Sequence, residues 1–114
     1  MPDAMYPSTT CEAAQKRREL LPATEDAFRA GQKAFAEGAL SIRMRQLTAV
    51  AVAQVTQRPY CIKGHTKAAL RHRASREELM EAIWVAAEMR AGGTYAHSIL
   101  AIQEMNTAAN AKSA

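Results

Sequence analysis

Helix start and stop signals punctuate this chain at short intervals, and no alternating strand pattern separates them. Thr9-x-x-Glu12 has the form of a capping box that opens a helix through Leu21. Pro22 interrupts it. Thr24 then caps a segment through Glu37, with Phe28 and Phe35 two turns apart on one face, and Gly38 stands where a helix stops. Ser41 caps the next helix, which runs to about Thr56 with Ile42, Leu47, Val50, Ala51 and Val55 as its apolar stripe; Arg43, Arg45 and Gln46 fall beside that stripe. Gln57-Arg58-Pro59 is a break, because the residue before a proline resists the helical region. Pro59 is suited to a first helical turn and predicts a helix to about His72, with Lys63, Lys67 and Arg71 facing water. Ser75-Arg76-Glu77-Glu78 is a second capping box, before Leu79, Met80, Ile83, Trp84 and Ala87. Gly92-Gly93 closes that helix, and a last one uses Tyr95, Ile99, Ile102 and Met105.

The expected fold is therefore all-α, a single small domain of five or six helices over residues 9–106. Residues 1–8 form an extended arm, and residues 107–114 a frayed tail. Composition agrees. Alanine supplies much of the 48% apolar content while aromatics are only 5%, which suits closely packed helices better than a sheet. A chain of 114 residues fits one domain and buries a core without staples. Its apolar helix faces exceed what one small core needs, which predicts a symmetric homo-oligomer.

No apolar run approaches the roughly 18 residues of a membrane span, and residues 1–18 lack the apolar segment of a signal peptide. The expected location is the cytoplasm, where Cys11 and Cys61 stay reduced. The net charge of +4 is modest. Basic clusters at Lys16-Arg17-Arg18, Arg43/Arg45 and Arg71-His72-Arg73 have no interleaved aromatics to stack bases, which argues against a nucleic-acid partner.

The chemistry concentrates at Arg58-Pro59-Tyr60-Cys61-Ile62-Lys63-Gly64-His65. A helix starting at Pro59 puts Cys61 in its first turn and His65 one turn later on the same face. Free backbone N–H groups and the positive end of the macrodipole then favour a thiolate, and an imidazolium alongside would add to this. The competing reading makes Cys61 a small buried apolar residue and His65 a hydrogen-bonded core histidine. Tyr60 either lines the cysteine pocket or packs at the helix start. Cys61 and His65 are two ligands where a structural metal needs three or four, and neither His72, His97, Glu81 nor Glu88 has a matching spacing, so no metal and no cofactor are expected.

The segments Gly38-Ala39-Leu40, Leu47-Thr48-Ala49-Val50-Ala51-Val52-Ala53, Pro59-Tyr60-Cys61-Ile62-Lys63-Gly64-His65-Thr66-Lys67-Ala68-Ala69 and Ser75 to Ile83 together resemble the carboxymuconolactone decarboxylase family, especially its alkylhydroperoxidase D-like branch. The resemblance implies an all-helical fold that assembles as a trimer or hexamer. For the redox branch it implies a Cys-x-x-Cys pair whose second cysteine attacks a peroxide and whose first resolves the sulfenate, with a His and an upstream Glu relaying protons. By position, Cys61 matches the attacking cysteine and His65 the relay histidine. Arg58 stands where the resolving cysteine belongs, and Gln46 where the glutamate belongs. Arg73 stands at a helix stop where glycine is expected.

Arg58 cannot form a disulfide, and Gln46 orients a ring or a water but takes no proton. Three functions follow as expectations. The first is a one-cysteine thiol peroxidase or oxidoreductase. In it Cys61 attacks a small peroxide, His65 moves a proton, Gln46 orients it, Arg58 stabilises the thiolate or binds substrate, and an external thiol completes the cycle. The second is a non-redox enzyme of the decarboxylase type acting on a small organic substrate, with Arg58 on a carboxylate. The third is a non-catalytic helical assembly protein.

Overall fold

A computed structural model describes residues 10–113; the expected arm at residues 1–8, Thr9 and Ala114 lie outside them. Five α-helices and one 3-10 helix account for the regular structure: α1 (Cys11–Leu20), α2 (Pro22–Arg29), the 3-10 helix (Ala30–Phe35), α3 (Ile42–Thr56), α4 (Pro59–Arg71) and α5 (Arg76–Ser113). Among the described residues there is no strand.

The helices begin where side chains can satisfy their orphan N–H groups. Thr10 caps α1 by accepting from the Ala13 amide at 3.1 Å, and Ser41 caps α3 by accepting from the Met44 amide at 3.1 Å. The Glu37 carboxylate adds to this by accepting from the Ile42 amide at 2.6 Å, an anion at a positive helix end. Ser75 and Glu78 complete a reciprocal capping box for α5: the Ser75 amide donates to Glu78 at 2.8 Å and the Glu78 amide to the Ser75 hydroxyl at 3.0 Å. The Ser75 amide, with Arg43 beside it, holds the Glu78 carboxyl below the usual carboxylate range. Arg43 reaches that carboxylate at 3.0 Å and ties α3 to α5.

The stop of α4 is a Schellman motif. The Ala74 amide donates back to the Ala69 carbonyl at 2.9 Å and the Arg73 amide to Leu70 at 3.1 Å, while Arg73 takes a positive φ of 71°. The motif buries Ala69 and Ala74 against each other in the core. A side chain in the left-handed region is strained, so Arg73→Gly is expected to raise stability by about 0.5–1 kcal/mol, the relief exceeding the added unfolded-state entropy. Thermal unfolding at fixed protein concentration measures it, and an unchanged or lower Tm would contradict the strain.

Helix α3 is central and packs on α4 and on the first half of α5. Leu47, Val50, Ala69, Ala74 and Leu79 form the core, with Ala82 and Ile83 against it. Helices α1 and α2 form a hairpin on which Arg17, Arg18 and Arg29 surround Glu25, each at 3.6 Å, and Arg18 also pairs with Asp26. The hairpin reaches the core only through the 3-10 helix.

Four expectations differ from the structure. The first cap is Thr10. Thr24 caps nothing, because α2 already starts at Pro22; the chain then tightens into the 3-10 helix, so Phe28 and Phe35 fall on different elements. Gly92-Gly93 does not close a helix. Neither glycine has a positive φ, and no neighbouring atom crowds either position, so nothing turns the chain back there. Helix α5 therefore runs on through the residues expected to fray, to Ser113.

The result is long and thin, 66 × 37 × 36 Å, with a radius of gyration of 20.7 Å against roughly 13 Å for a compact chain of this length. Every residue from Gly93 to Ala111 is exposed. No helix among the described residues is long and apolar enough to cross a membrane.

Candidate functional site

Pro59 is the first residue of α4, so Cys61 sits in its first turn, as the break at Gln57-Arg58 requires. The break itself is sharp. Gln57 takes a left-handed φ of 56°, and both its amide and that of Arg58 donate to the Ala53 carbonyl. This turn folds α4 back along α3 and sets Arg58 beside the same hollow as Cys61.

That hollow is a cavity of about 610 Å³, open to solvent, between α3, α4 and the segment from Ala34 to Leu40. On α3 its wall is one helical stripe, Arg45, Thr48, Ala49, Val52, Ala53 and Thr56. Ala34, Phe35, Ala39 and Leu40 supply a second wall, and Arg58, Cys61 and His65 the third. Cys61 is half-buried and accessible from the cavity. The thiol and the ring thus share one space, neither separated by the backbone nor sealed in a dry core. A hollow of about 660 Å³ on the α1–α2 hairpin is similar in size, but Arg17, Leu21, Thr24, Glu25, Phe28, Arg29 and Gln32 give it neither thiol nor imidazole.

His65 is the most constrained group in the site. Its Nδ1 lies 2.7 Å from Gln46 Oε1. An amide oxygen only accepts, so Nδ1 carries the hydrogen and Nε2 keeps its lone pair. Gln46 is buried at 7% exposure, the only buried polar residue among those described, and the ring consumes its acceptor. Phe35 packs on the imidazole with ring centroids 4.7 Å apart at 36°. Burial pushes the His65 pKa down from its ordinary value. The ring is therefore neutral at neutral pH. With Nδ1 bonded to Gln46, the lone pair of the neutral ring sits on Nε2.

Arg45 crosses to the other wall, where its Nη1 donates to the Ala34 carbonyl at 3.0 Å. A Cβ at position 38 would run into the Arg45 guanidinium, so Gly38 permits this close approach. Arg58 makes no side-chain capping bond at its own helix. No Asp or Glu lines the cavity, and among the described residues neither arginine has a carboxylate within ion-pair distance.

Of the residues singled out from sequence, the structure brings together Cys61, His65, Arg58 and, through its hydrogen bond, Gln46. Tyr60 is exposed and does not line the cavity, which places it at the helix start. Glu81 lies on a different surface hollow, with Met44 and Val85. Glu88 and His97 are exposed on α5. Among the described residues no three His, Cys, Asp or Glu side chains cluster as metal ligands. Phe35, Arg45 and the Ala49/Val52 wall carry no local sequence motif and went unnoticed as site residues.

A model of the carboxymuconolactone decarboxylase family matches residues 22–104, which include the whole cavity. An uncharacterized protein of the cox locus of Paracoccus denitrificans is 63% identical over 75 residues, covering 65% of this chain and 68% of that protein. An uncharacterized protein of Cupriavidus necator is 40% identical over 83 residues, covering 70% and 74%. Among solved structures, the apo form of a carboxymuconolactone decarboxylase family protein from Legionella pneumophila matches with a TM-score of 0.65 at 30% identity, covering 79% of this chain and 81% of that one.

Proposed function

We propose that this chain, which belongs to the carboxymuconolactone decarboxylase family, is a thiol-dependent peroxidase with Cys61 as nucleophile and His65 as its base. The observation that carries this reading is a half-buried thiol at a helix amino end sharing a cavity with a neutral, tautomer-fixed imidazole. His65 Nε2 accepts the proton of the Cys61 thiol. The sulfur attacks the outer oxygen of a hydroperoxide, the O–O bond breaks, and the leaving alkoxide takes the proton from His65. Cys61 becomes a sulfenic acid and the peroxide an alcohol, a two-electron exchange. Arg58 occupies the position of a resolving cysteine, so an external thiol condenses with the sulfenate and releases water. A second thiol equivalent then frees Cys61 as that thiol's disulfide.

Gln46 orients the ring and carries no charge, and that makes a pH prediction. The folded chain holds His65 neutral below the ordinary value near 6.5, so the acid limb of the sulfenation rate lies below that pH. Gln46→Glu puts a carboxylate against Nδ1, favours the imidazolium and is expected to move that limb upward. Stability has the matching sign. The unfolded chain binds the proton first, so acidification through the window from 6.5 down to the folded value destabilises the native state. An acid limb that stays in place in Gln46→Glu would remove His65 from the proton path.

A second reading has one observation in its favour: Arg58 and a neutral base share the cavity, as proton transfer on a carboxylate substrate would need. Turnover of an organic acid that persists in Cys61→Ser would select it.

The same proposal includes self-assembly. Trp84, Met89, Tyr95, Ile99, Ile102 and Met105 are all exposed on α5, as is every residue of its second half from Gly93 to Ala111. A lone helix in water is marginal, and each large apolar side chain gains about 1.5–3 kcal/mol on burial. A second copy, presenting the same unburied surface, is the partner proposed.

A further inference from the structure

We infer that the substrate of the Cys61 cavity is an amphiphile, an apolar body carrying a single carboxylate that pairs with Arg58. This rests on the peroxidase reading for the reacting group and on the shape and charge of the cavity for everything else. Three features point the same way. First, size. At about 610 Å³ the cavity is some twenty times the ~30 Å³ a water occupies, far more than hydrogen peroxide needs and within the range of small-molecule sites.

Second, polarity and length. The α3 stripe from Arg45 to Thr56 rises about 16 Å, and its middle is Ala49, Val52 and Ala53, faced by Phe35 and Leu40. Val52 and Leu40 are about half exposed, at 55% and 52%, so an elongated apolar ligand would cover surface the chain leaves wet. Third, charge. The lining holds two guanidinium groups and no carboxylate. Arg45 is engaged with the Ala34 carbonyl. Arg58 has no carboxylate within ion-pair distance among the described residues, and its fork suits a carboxylate in two parallel hydrogen bonds. One uncommitted cation matches one negative charge, which favours a carboxylic acid over a phosphate monoester. Arg58 would hold the head of such a hydroperoxide at the cavity mouth while the reacting oxygen lies over Cys61.

The test separates binding from reaction. Decanoate and the uncharged decanol are titrated by calorimetry into the full chain, Arg58→Gln and Arg58→Lys, with circular dichroism confirming that each variant folds. Decanoate is expected to bind the unaltered chain at least about 10-fold more tightly than decanol, since hydrogen bonds to charged groups carry that much. Arg58→Gln should erase the difference, and Arg58→Lys should retain part of it. Equal affinity for acid and alcohol, or a preference that survives Arg58→Gln, would overturn the assignment. In the second arm, Cys61 sulfenation is compared for a fatty-acid hydroperoxide and its methyl ester. A slower ester only when Arg58 is present supports the inference. A binding preference with no sulfenate from either compound would sink the peroxidase chemistry and leave the carboxylate site standing.

Discussion

Cys61→Ser is expected to abolish peroxide consumption, and His65→Asn to slow sulfenate formation about 10²- to 10³-fold while leaving the thiol in place. The first follows because serine is a far poorer nucleophile near neutral pH and has no sulfenate chemistry. The second follows from the geometry of the base. Nδ1 is occupied by Gln46, so Nε2 is the one free proton acceptor on the ring, and positioned acid–base groups contribute roughly 10²–10⁴-fold. The asparagine variant is expected to leave α4 intact, because its start at Pro59 and its Schellman stop do not involve position 65. Stopped-flow sulfenation with a general thiol donor measures both. Cys11 is exposed on α1, away from the cavity, and serves as the internal reference. Undiminished consumption in Cys61→Ser, or an equal slowing at Cys11 in His65→Asn, would refute the assignment.

Ile99→Glu combined with Ile102→Glu is expected to turn the assembled protein into monomer. Both residues lie on the exposed half of α5, at 54% and 45% exposure, outside the core cluster of the described residues. Charges in a desolvated helix interface cost several kcal/mol each, enough to dissociate a complex held by one apolar stripe. In a monomer this helix also loses its support, so far-UV circular dichroism should show a helix loss confined to about its last six turns. Sedimentation at micromolar concentration reads the outcome directly. An unaltered chain that sediments as monomer, or a double variant that assembles unchanged, would contradict the proposal. Trp84, at 68% exposure, gives an independent signal, because its fluorescence should shift to the red if dissociation exposes it.

The legible part of the fold was the part written in local chemistry. Ser41 and the Ser75–Glu78 box fix a helix start through bonds within three residues and Pro59 through its own restricted φ, and all three starts were readable from the sequence. That Arg73 stands where glycine is expected came from the family resemblance, and the positive φ at Arg73 agrees with it. What could not be read depends on the absence or presence of distant neighbours. A Gly92-Gly93 pair ends a helix only where the chain takes a positive φ or is turned by packing, and here neither glycine has a positive φ and no described atom crowds either Cβ position. The 3-10 helix after α2 is likewise set by how the hairpin meets α3.

The site divides the same way. Cys61 and His65 were found because four residues on a helix is one turn, a local fact. Gln46 was located by family resemblance, but its burial and its bond to the ring came from the packing of α3 on α4. Phe35 lies thirty residues before His65 with no spacing to mark it, and only the fold of the intervening chain stacks the two rings. The lowered His65 pKa follows from that same enclosure, which the four-residue spacing does not reveal.

The most direct measurement is mass spectrometry of the full chain after one equivalent of hydroperoxide and a sulfenate-selective trap. The account predicts an adduct on Cys61 well before any on Cys11, lost in Cys61→Ser and delayed in His65→Asn. Modification of Cys11 first, or of both thiols at the same rate, would show that the cavity confers no reactivity on Cys61.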